Sequence, residues 1–236
     1  MHEEDAEAAR AGAGATWEAL TAPWKRAFEE AWASFCAGSA GVGAVVVDGS
    51  GEIVSAGRNC MFEDDPEVSP LAGSRMAHAE MVALQQMRRG DFDDHEIYST
   101  FEPCLMCAAT IRMYHLRRVH FAAVDPLWDG LEEAFRSAPV LARRMPERTV
   151  LGGPFGVFGH VLHLCGLGER MPEIMVTAHG TLAPELLVLG RRLERDGRLT
   201  TLSARAATVD LAVAELWDDL SGAAALAGAS GGRTAL

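Results

Sequence analysis

The 236-residue sequence has no long apolar run and no leader-like start. Its most apolar segment, residues 155–167, is interrupted by glycines and histidines, so no stretch reaches the roughly 18–20 apolar residues that cross a bilayer. The chain opens Met-His-Glu-Glu-Asp, without the basic and apolar regions of a secretory signal. We therefore expect a cytoplasmic protein with no membrane partner.

The sequence has fewer basic than acidic residues. The chain carries 21 Lys and Arg against 33 Asp and Glu, a net charge of −12. Proteins usually bind nucleic acids through a basic surface. Lys and Arg side chains neutralise the phosphates, and the release of counterions provides much of the affinity. The charge balance disfavours a polymer such as tRNA and favours a small substrate.

The sequence has few cysteines, and their number is odd. Five are present, at positions 36, 60, 104, 107 and 165. An odd count without a secretory signal argues against a disulfide framework. The closely spaced pair Cys104 and Cys107 is then a candidate for metal ligation or redox chemistry.

Apolar periodicity and turn signals predict helices and strands in alternation. The predicted helices cover 16–37, 76–87 and 104–115, and the predicted strands cover 42–48, 52–57, 95–100, 118–124 and 149–151. This order predicts a three-layer α/β/α domain over 16–150, with a mixed, mainly parallel five-stranded sheet. Helical periodicity further on predicts a mainly helical extension over 151–220, packed on that domain. Residues 1–15 and 221–236 have a composition that predicts flexible ends.

Two short motifs place metal-binding and acid–base side chains at the starts of two predicted helices. They are His78-Ala79-Glu80 and Pro103-Cys104-Leu105-Met106-Cys107. One imidazole and two thiolates give zinc three ligands and leave the fourth tetrahedral position open for water, which is typical of a catalytic site. A structural zinc site needs a second ligand pair, and none follows at similar spacing. Glu80 is then free to move protons.

Together, His-x-Glu and Pro-Cys-x-x-Cys are the signature of zinc nucleobase deaminases. Residues 40–124 resemble the cytidine-deaminase-like superfamily, and the segment 102–107 looks like the branch that contains tRNA adenosine deaminases and guanine deaminases. The resemblance implies a homodimer and Glu80 as the catalytic proton shuttle. It also implies one zinc ion per chain, held by His78, Cys104 and Cys107.

Three further positions are candidate substrate contacts. In similar enzymes an asparagine directly after the second strand bonds the base, which points to Asn59, although turn asparagines are common. The main-chain N–H of Ala79 resembles another substrate contact of the family. Trp128 follows the strand over 118–124, where a tryptophan either stacks on a base or belongs to the core.

A second cluster, His160, His163 and Cys165, suggests another metal site. These residues lie in an apolar segment interrupted by glycines. Histidines in such segments are more often packed in a core or an interface. We therefore favour packing over metal binding for this cluster.

Departures from the tRNA enzymes favour a small substrate. The loop 69–77 lacks the Asp-Pro-Thr that often precedes their His-Ala-Glu, and 125–130 lacks their Gly- and Lys-containing loop. We predict a hydrolytic deaminase that converts an exocyclic amino group of a small nucleobase, nucleoside or related amino-heterocycle to a carbonyl, with release of ammonia. The alternatives are a tRNA-specific adenosine deaminase and a non-catalytic zinc-binding interaction subunit. The last would typically lack the glutamate present here as Glu80.

Overall fold

A computed structural model describes residues 12–14, 16–143 and 145–229. The strands are β1 (Gly43–Val47), β2 (Ile53–Arg58), β3 (Glu96–Phe101), β4 (Arg118–Ala123) and β5 (Glu147–Val150). They form one sheet in the order β2-β1-β3-β4-β5. The five-stranded mixed sheet is confirmed, but it is not mainly parallel. Because β1 runs opposite to both of its neighbours, β2 and β3, two of the four strand pairings are antiparallel.

Ten helices of the described residues after residue 21 surround and extend the sheet. They are α1 (Ala22–Cys36), α2 (Ala79–Leu84), α3 (Leu105–Met113), α4 (Leu131–Ser137), α5 (Pro139–Ala142), α6 (Gly153–Leu167), α7 (Glu173–Leu182), α8 (Pro184–Asp196), α9 (Arg198–Ala204) and α10 (Val209–Ala229). Short 3-10 turns cover Pro126–Trp128 and Gly168–Arg170. None of these helices is both long and apolar enough to cross a membrane.

The helix predicted over 16–37 is interrupted. Residues 16–19 are helical, but the chain breaks at Leu20 and Thr21 before α1 starts. Pro23 lies in the first turn of α1, a position that proline favours because the missing N–H has no intrahelical partner there. Thr21 is the N-cap residue of α1.

Side chains on the two faces of the sheet build two separate cores. The side chains of Ala44 and Val46 in β1 lie on the face of the sheet that packs against α2 and α3. Tyr98 and Ala122 face the opposite side, where α1 and α6 pack. Alternate residues of a strand point to opposite faces, so both cores follow from one apolar sheet.

Helix α2 lies unusually close to β2 because Gly57 has no side chain. A Cβ atom at Gly57 would lie 2.5 Å from the main-chain nitrogen of Ala83. The close approach holds the first turn of α2, with His78 and Glu80, against the sheet.

The C-terminal extension, residues 151–229, packs on the α1 side of the sheet. Helix α6 contacts β3 and β4, and both α8 and α10 pack on α6. The flexible end predicted from residue 221 is wrong for residues 221–229, which continue α10. Alanine has the highest helix propensity, and Leu220, Ala223 and Ala227 are buried on one face. Residues 230–236, and 1–11 and 15 at the other end, lie outside the described residues.

Candidate active site

Three metal-ligating side chains meet where two helices begin. His78 is the N-cap residue of α2, Cys104 is the N-cap residue of α3, and Cys107 lies in the first turn of α3. The Cys104 Sγ, Cys107 Sγ and His78 Nδ1 atoms lie 3.6 Å from one another in each pair. Among the His, Cys, Asp and Glu side chains of the described residues, these three are close enough to one another to hold a metal ion together.

The spacing of these donors matches tetrahedral zinc. Zinc binds sulfur at about 2.3 Å and imidazole nitrogen at about 2.0–2.1 Å, so neighbouring donors of a tetrahedral ion lie about 3.5–3.8 Å apart. The observed triangle has sides of 3.6 Å. His78, Cys104 and Cys107 can therefore hold zinc with little movement.

Electrostatics in the cluster favour thiolate at one cysteine. A hydrogen bond from Cys107 is the main cause that lowers the pKa of Cys104 to about 4, and His78 adds to the effect against the cost of burial. Burial disfavours a charged His78, but the hydrogen bond and the charge of Cys104 raise its pKa overall. The N-terminus of α3 also favours negative charge at Cys104.

Glu80 is a buried carboxylate beside this cluster. It is 3% exposed, and its Oε2 atom lies 3.4 Å from the Cys107 Sγ atom. The Ser99 hydroxyl donates a hydrogen bond of 3.2 Å to Oε1. Burial raises the pKa of Glu80 above its ordinary value. Its carboxyl group therefore holds a proton more readily than the carboxyl group of an exposed glutamate.

A buried ion pair supports the loop that carries Cys104. Glu102 is 3% exposed and forms an ion pair with Arg148, which also contacts Glu132 at 2.9 Å. The second carboxylate oxygen of Glu102 accepts a hydrogen bond of 2.9 Å from the main-chain nitrogen of Asp125. Burial, aided by the charge of Glu102, raises the pKa of Asp125 to about 7, although the N–H of Leu127 acts in the opposite direction.

A cavity of about 230 Å³ opens beside the cluster. It joins residues from both halves of the chain: Val42, Asn59, Met61, His78, Glu80, Phe101, Glu102, Cys104, Asp125, Leu127, Trp128, His163, Leu167, Pro172 and Met175. Two of the three predicted substrate contacts, Asn59 and Trp128, line it. Ala79 is buried and does not line it with a side chain, but its main-chain N–H lies in the first turn of α2, where helical N–H groups have no intrahelical partner.

The amide of Asn59 has a fixed orientation. Its Oδ1 atom accepts hydrogen bonds from the Ser39 hydroxyl, at 2.9 Å, and from the main-chain nitrogen of Met61, at 3.2 Å. Because two donors already bond the side-chain oxygen, the NH₂ group of Asn59 is the part that can bond a molecule in the cavity. Asn59 therefore offers the cavity a hydrogen-bond donor, not both a donor and an acceptor.

Sequence reasoning missed Asp125 and the contribution of the extension. Asp125 had a detectable signal, because it follows the carboxyl end of β4, where sites of α/β folds collect. His163, Leu167 and Met175 had none, because their place in the cavity depends on how α6 and α7 pack.

His160, His163 and Cys165 each have separate packing or hydrogen-bond contacts. Cys165 bonds the carbonyl oxygen of Gly190 and His163 bonds that of Ala40. His160 is buried, with its ring beside those of Phe101 and His179. These residues pack, as the sequence predicts.

Comparison with known proteins agrees with this site. The family profile described as the cytidine and deoxycytidylate deaminase zinc-binding region matches residues 19–123. The tRNA-specific adenosine deaminase of Aquifex aeolicus (strain VF5) is 33% identical over 128 residues, 51% of this chain and 78% of that protein.

Two solved structures are also similar. One comes from studies of A-to-I editing by tRNA:A34 deaminases at the wobble position of transfer RNA, with 26% identity and a TM-score of 0.47 over 56% of this chain and 92% of that one. The other is the guanine deaminase from Bacillus subtilis, with 28% identity and a TM-score of 0.39 over 49% and 71% of the two chains. The profile match and the curated relative identify the chain as a member of the cytidine and deoxycytidylate deaminase family, and hence as a zinc-dependent hydrolytic deaminase.

Proposed function

We propose that this enzyme deaminates a small amino-heterocycle, either a free nucleobase or a nucleoside. The observation that carries the proposal is the wall contributed by the C-terminal extension. His163 and Leu167 of α6 and Met175 of α7 line the same cavity as Glu80 and Cys104. Because the extension borders the site, the cavity suits one small molecule better than an RNA loop.

The size and charge of the cavity support the same conclusion. Its volume of about 230 Å³ lies below the roughly 300–1,000 Å³ of sites that hold drug-sized ligands, which suits a small heterocycle. Glu80, Glu102 and Asp125 all line it, and the chain as a whole is strongly acidic. The net charge of −12 repels a phosphate backbone and leaves an uncharged base or nucleoside unaffected.

Glu80 is the proposed acid–base residue. His78, Cys104 and Cys107 would hold the zinc, which would supply a water acidic enough to act as a nucleophile near neutral pH. Glu80 takes a proton from water and passes protons to the ring nitrogen and to the departing amine. One water is consumed, a C–O bond replaces the C–N bond, and ammonia leaves. The Ser99 hydroxyl fixes Oε1 of Glu80 during these transfers.

Three groups would hold the heterocycle. The NH₂ of Asn59 donates to a ring nitrogen or carbonyl, since its oxygen is already bonded. The half-buried ring of Trp128 lines the cavity and offers a face for stacking. The main-chain N–H of Ala79, without an intrahelical partner, is a second donor at the edge nearest the metal ligands.

The test is ammonia release by the zinc-loaded protein from free bases, ribonucleosides and a tRNA anticodon arm. We expect turnover of at least one small compound. Glu80→Gln keeps the shape of the side chain and should retain about one zinc per chain while turnover falls by about 10²–10⁴-fold. Full activity of Glu80→Gln on the identified compound would contradict the assigned mechanism. Cys104→Ser is the matched control, in which zinc content itself should fall.

A second candidate function is tRNA adenosine deamination, which the Aquifex aeolicus relative favours. It requires turnover of the anticodon arm and none of the small compounds, with activity that falls steeply as salt is added. Family membership and the presence of Glu80 count against the non-catalytic zinc-binding subunit. We also propose one zinc per chain, a homodimer and a cytoplasmic location, the first two measured by metal analysis and light scattering.

A further inference from the structure

Helix α6 is held against the sheet by glycines. A Cβ atom at Gly159 would lie 2.3 Å from the Thr100 carbonyl oxygen, and one at Gly166 would lie 2.5 Å from that of Ser39. Positions 159, 163 and 166 share one face of a helix, because they are spaced by four and three residues. The same close approach therefore brings His163 to the segment that precedes β1 and into the cavity wall.

The imidazole of His163 has a defined tautomer. Its Nδ1 atom lies 3.0 Å from the carbonyl oxygen of Ala40, which can only accept, so Nδ1 carries the proton. Burial lowers the pKa of His163 to about 4, so the ring is neutral at pH 7. The ring of Phe101 packs at 4.3 Å between centroids and fixes the plane. Nε2 is then a lone-pair acceptor that has no hydrogen-bond partner within the described ranges.

We propose that His163 is a specificity-determining residue that accepts, at Nε2, a hydrogen bond from an N–H or O–H donor of the substrate. The inference rests on the proposed function, since it concerns a small molecule in this cavity. His163 contacts Ala40 and Phe101, whereas the reacting amino group must lie at Glu80. Besides the reacting amine, the candidate donors are a ring N–H of a free base and a hydroxyl of a nucleoside, and the probes below test both.

Asn59 and His163 form a complementary pair. Asn59 presents a donor, and His163 presents an acceptor, to one cavity. A substrate that lacks the matching donor leaves Nε2 unpaired in a mostly apolar wall, beside Leu167 and Met175. An unpaired buried acceptor is costly, so the pair selects compounds by hydrogen-bond pattern as well as by shape.

Two substitutions separate binding from packing. In His163→Asn the side-chain amide nitrogen lies near the position of Nδ1, so it can keep the bond to Ala40 while the acceptor at Nε2 is lost. In His163→Gln the amide oxygen lies near the position of Nε2, so an acceptor is kept while the bond to Ala40 is lost. A residue that only holds α6 to Ala40 would give the opposite ranking, with Gln the more damaging change.

The experiment is isothermal titration calorimetry with the full-length, zinc-loaded chain in a Glu80→Gln background, so that no probe is consumed. The probes are adenine and cytosine, whose ring N–H is at the glycosidic nitrogen, the same two bases methylated there, and the corresponding ribonucleosides. His163→Asn should weaken the binding of donor-bearing probes by roughly 5- to 150-fold. Binding of the methylated bases should not change, and His163→Gln should retain most of the affinity.

The probes also tell the two donors apart. An effect confined to the free bases identifies a ring N–H, and one confined to ribonucleosides identifies a sugar hydroxyl. Equal affinity of parent and His163→Asn for every probe overturns the inference, as does equal weakening for methylated and unmethylated bases. If the parent binds and deaminates none of the small probes but acts on the tRNA anticodon arm, the proposed function fails first and the inference fails with it.

Discussion

The contact between α6 and the sheet leads to a quantitative prediction about Gly159→Ala. The added Cβ atom would meet the Thr100 carbonyl oxygen at 2.3 Å, well inside an ordinary carbon–oxygen contact. Thr100 belongs to β3, whose end leads directly to Cys104. Relief of the clash therefore requires α6 or the end of β3 to move, and both border the cavity.

A matched control removes the helix-propensity contribution. Gly222, in α10, is exposed, and a Cβ atom there meets nothing within 4 Å. Alanine in place of glycine inside a helix contributes about 0.5–1 kcal/mol of stability at either site. The difference between Gly159→Ala and Gly222→Ala therefore isolates overpacking, which typically costs about 1–3 kcal/mol.

Thermal unfolding of the two variants checks this difference. For a chain of this size a change of 1 kcal/mol moves Tm by roughly 2–4 °C, so the Tm of Gly159→Ala should lie about 2–12 °C below that of Gly222→Ala. Ammonia release should fall in Gly159→Ala alone. Equal Tm values for the two variants would refute the claim that α6 rests on the sheet through its glycines.

Two other predictions concern buried charge. Burial lowers the pKa of His160 well below its ordinary value, so the ring takes up a proton when the protein unfolds. The unfolded ring has a pKa of about 6.5, so this effect leaves the free energy of unfolding unchanged above about pH 6.5. Below that pH it lowers the free energy of unfolding by up to about 1.36 kcal/mol per pH unit. His160→Phe should flatten the loss of stability between pH 7.5 and 5.5 in urea unfolding, and a slope as steep as the parent's would contradict this. Arg148→Met should leave the buried carboxylate of Glu102 unpaired and destabilise the fold by about 3–5 kcal/mol. Adding Glu102→Gln should restore part of that loss; no recovery would show that the ion pair is not its source.

The candidate metal ligands could be predicted from sequence because each belongs to a short motif. His78 and Cys104 lie at helix starts that the local pattern already marks, and Cys107 is one turn further on. The strands were predictable for the same reason, since Gly43–Val47 is a continuous apolar run. Local signals of this kind do not depend on how distant segments pack.

The remaining features depend on tertiary contacts. Helix α7 has an exposed, Thr- and Gly-containing sequence with weak periodicity, and residues 221–229 look like a linker by composition. The latter form a helix because Ala223 and Ala227 find a partner surface on the extension. His163 enters the cavity only once Gly159 and Gly166 have brought α6 to the sheet, so no local pattern indicates its role.

The cavity is encoded by two separate stretches of the chain. The residues that would activate water, from His78 to Cys107, precede β5, and the wall formed by α6 and α7 follows it. Substitutions in the later stretch can therefore change which molecule enters without altering the metal ligands. A lineage with this architecture can diversify its substrates while its reaction stays the same.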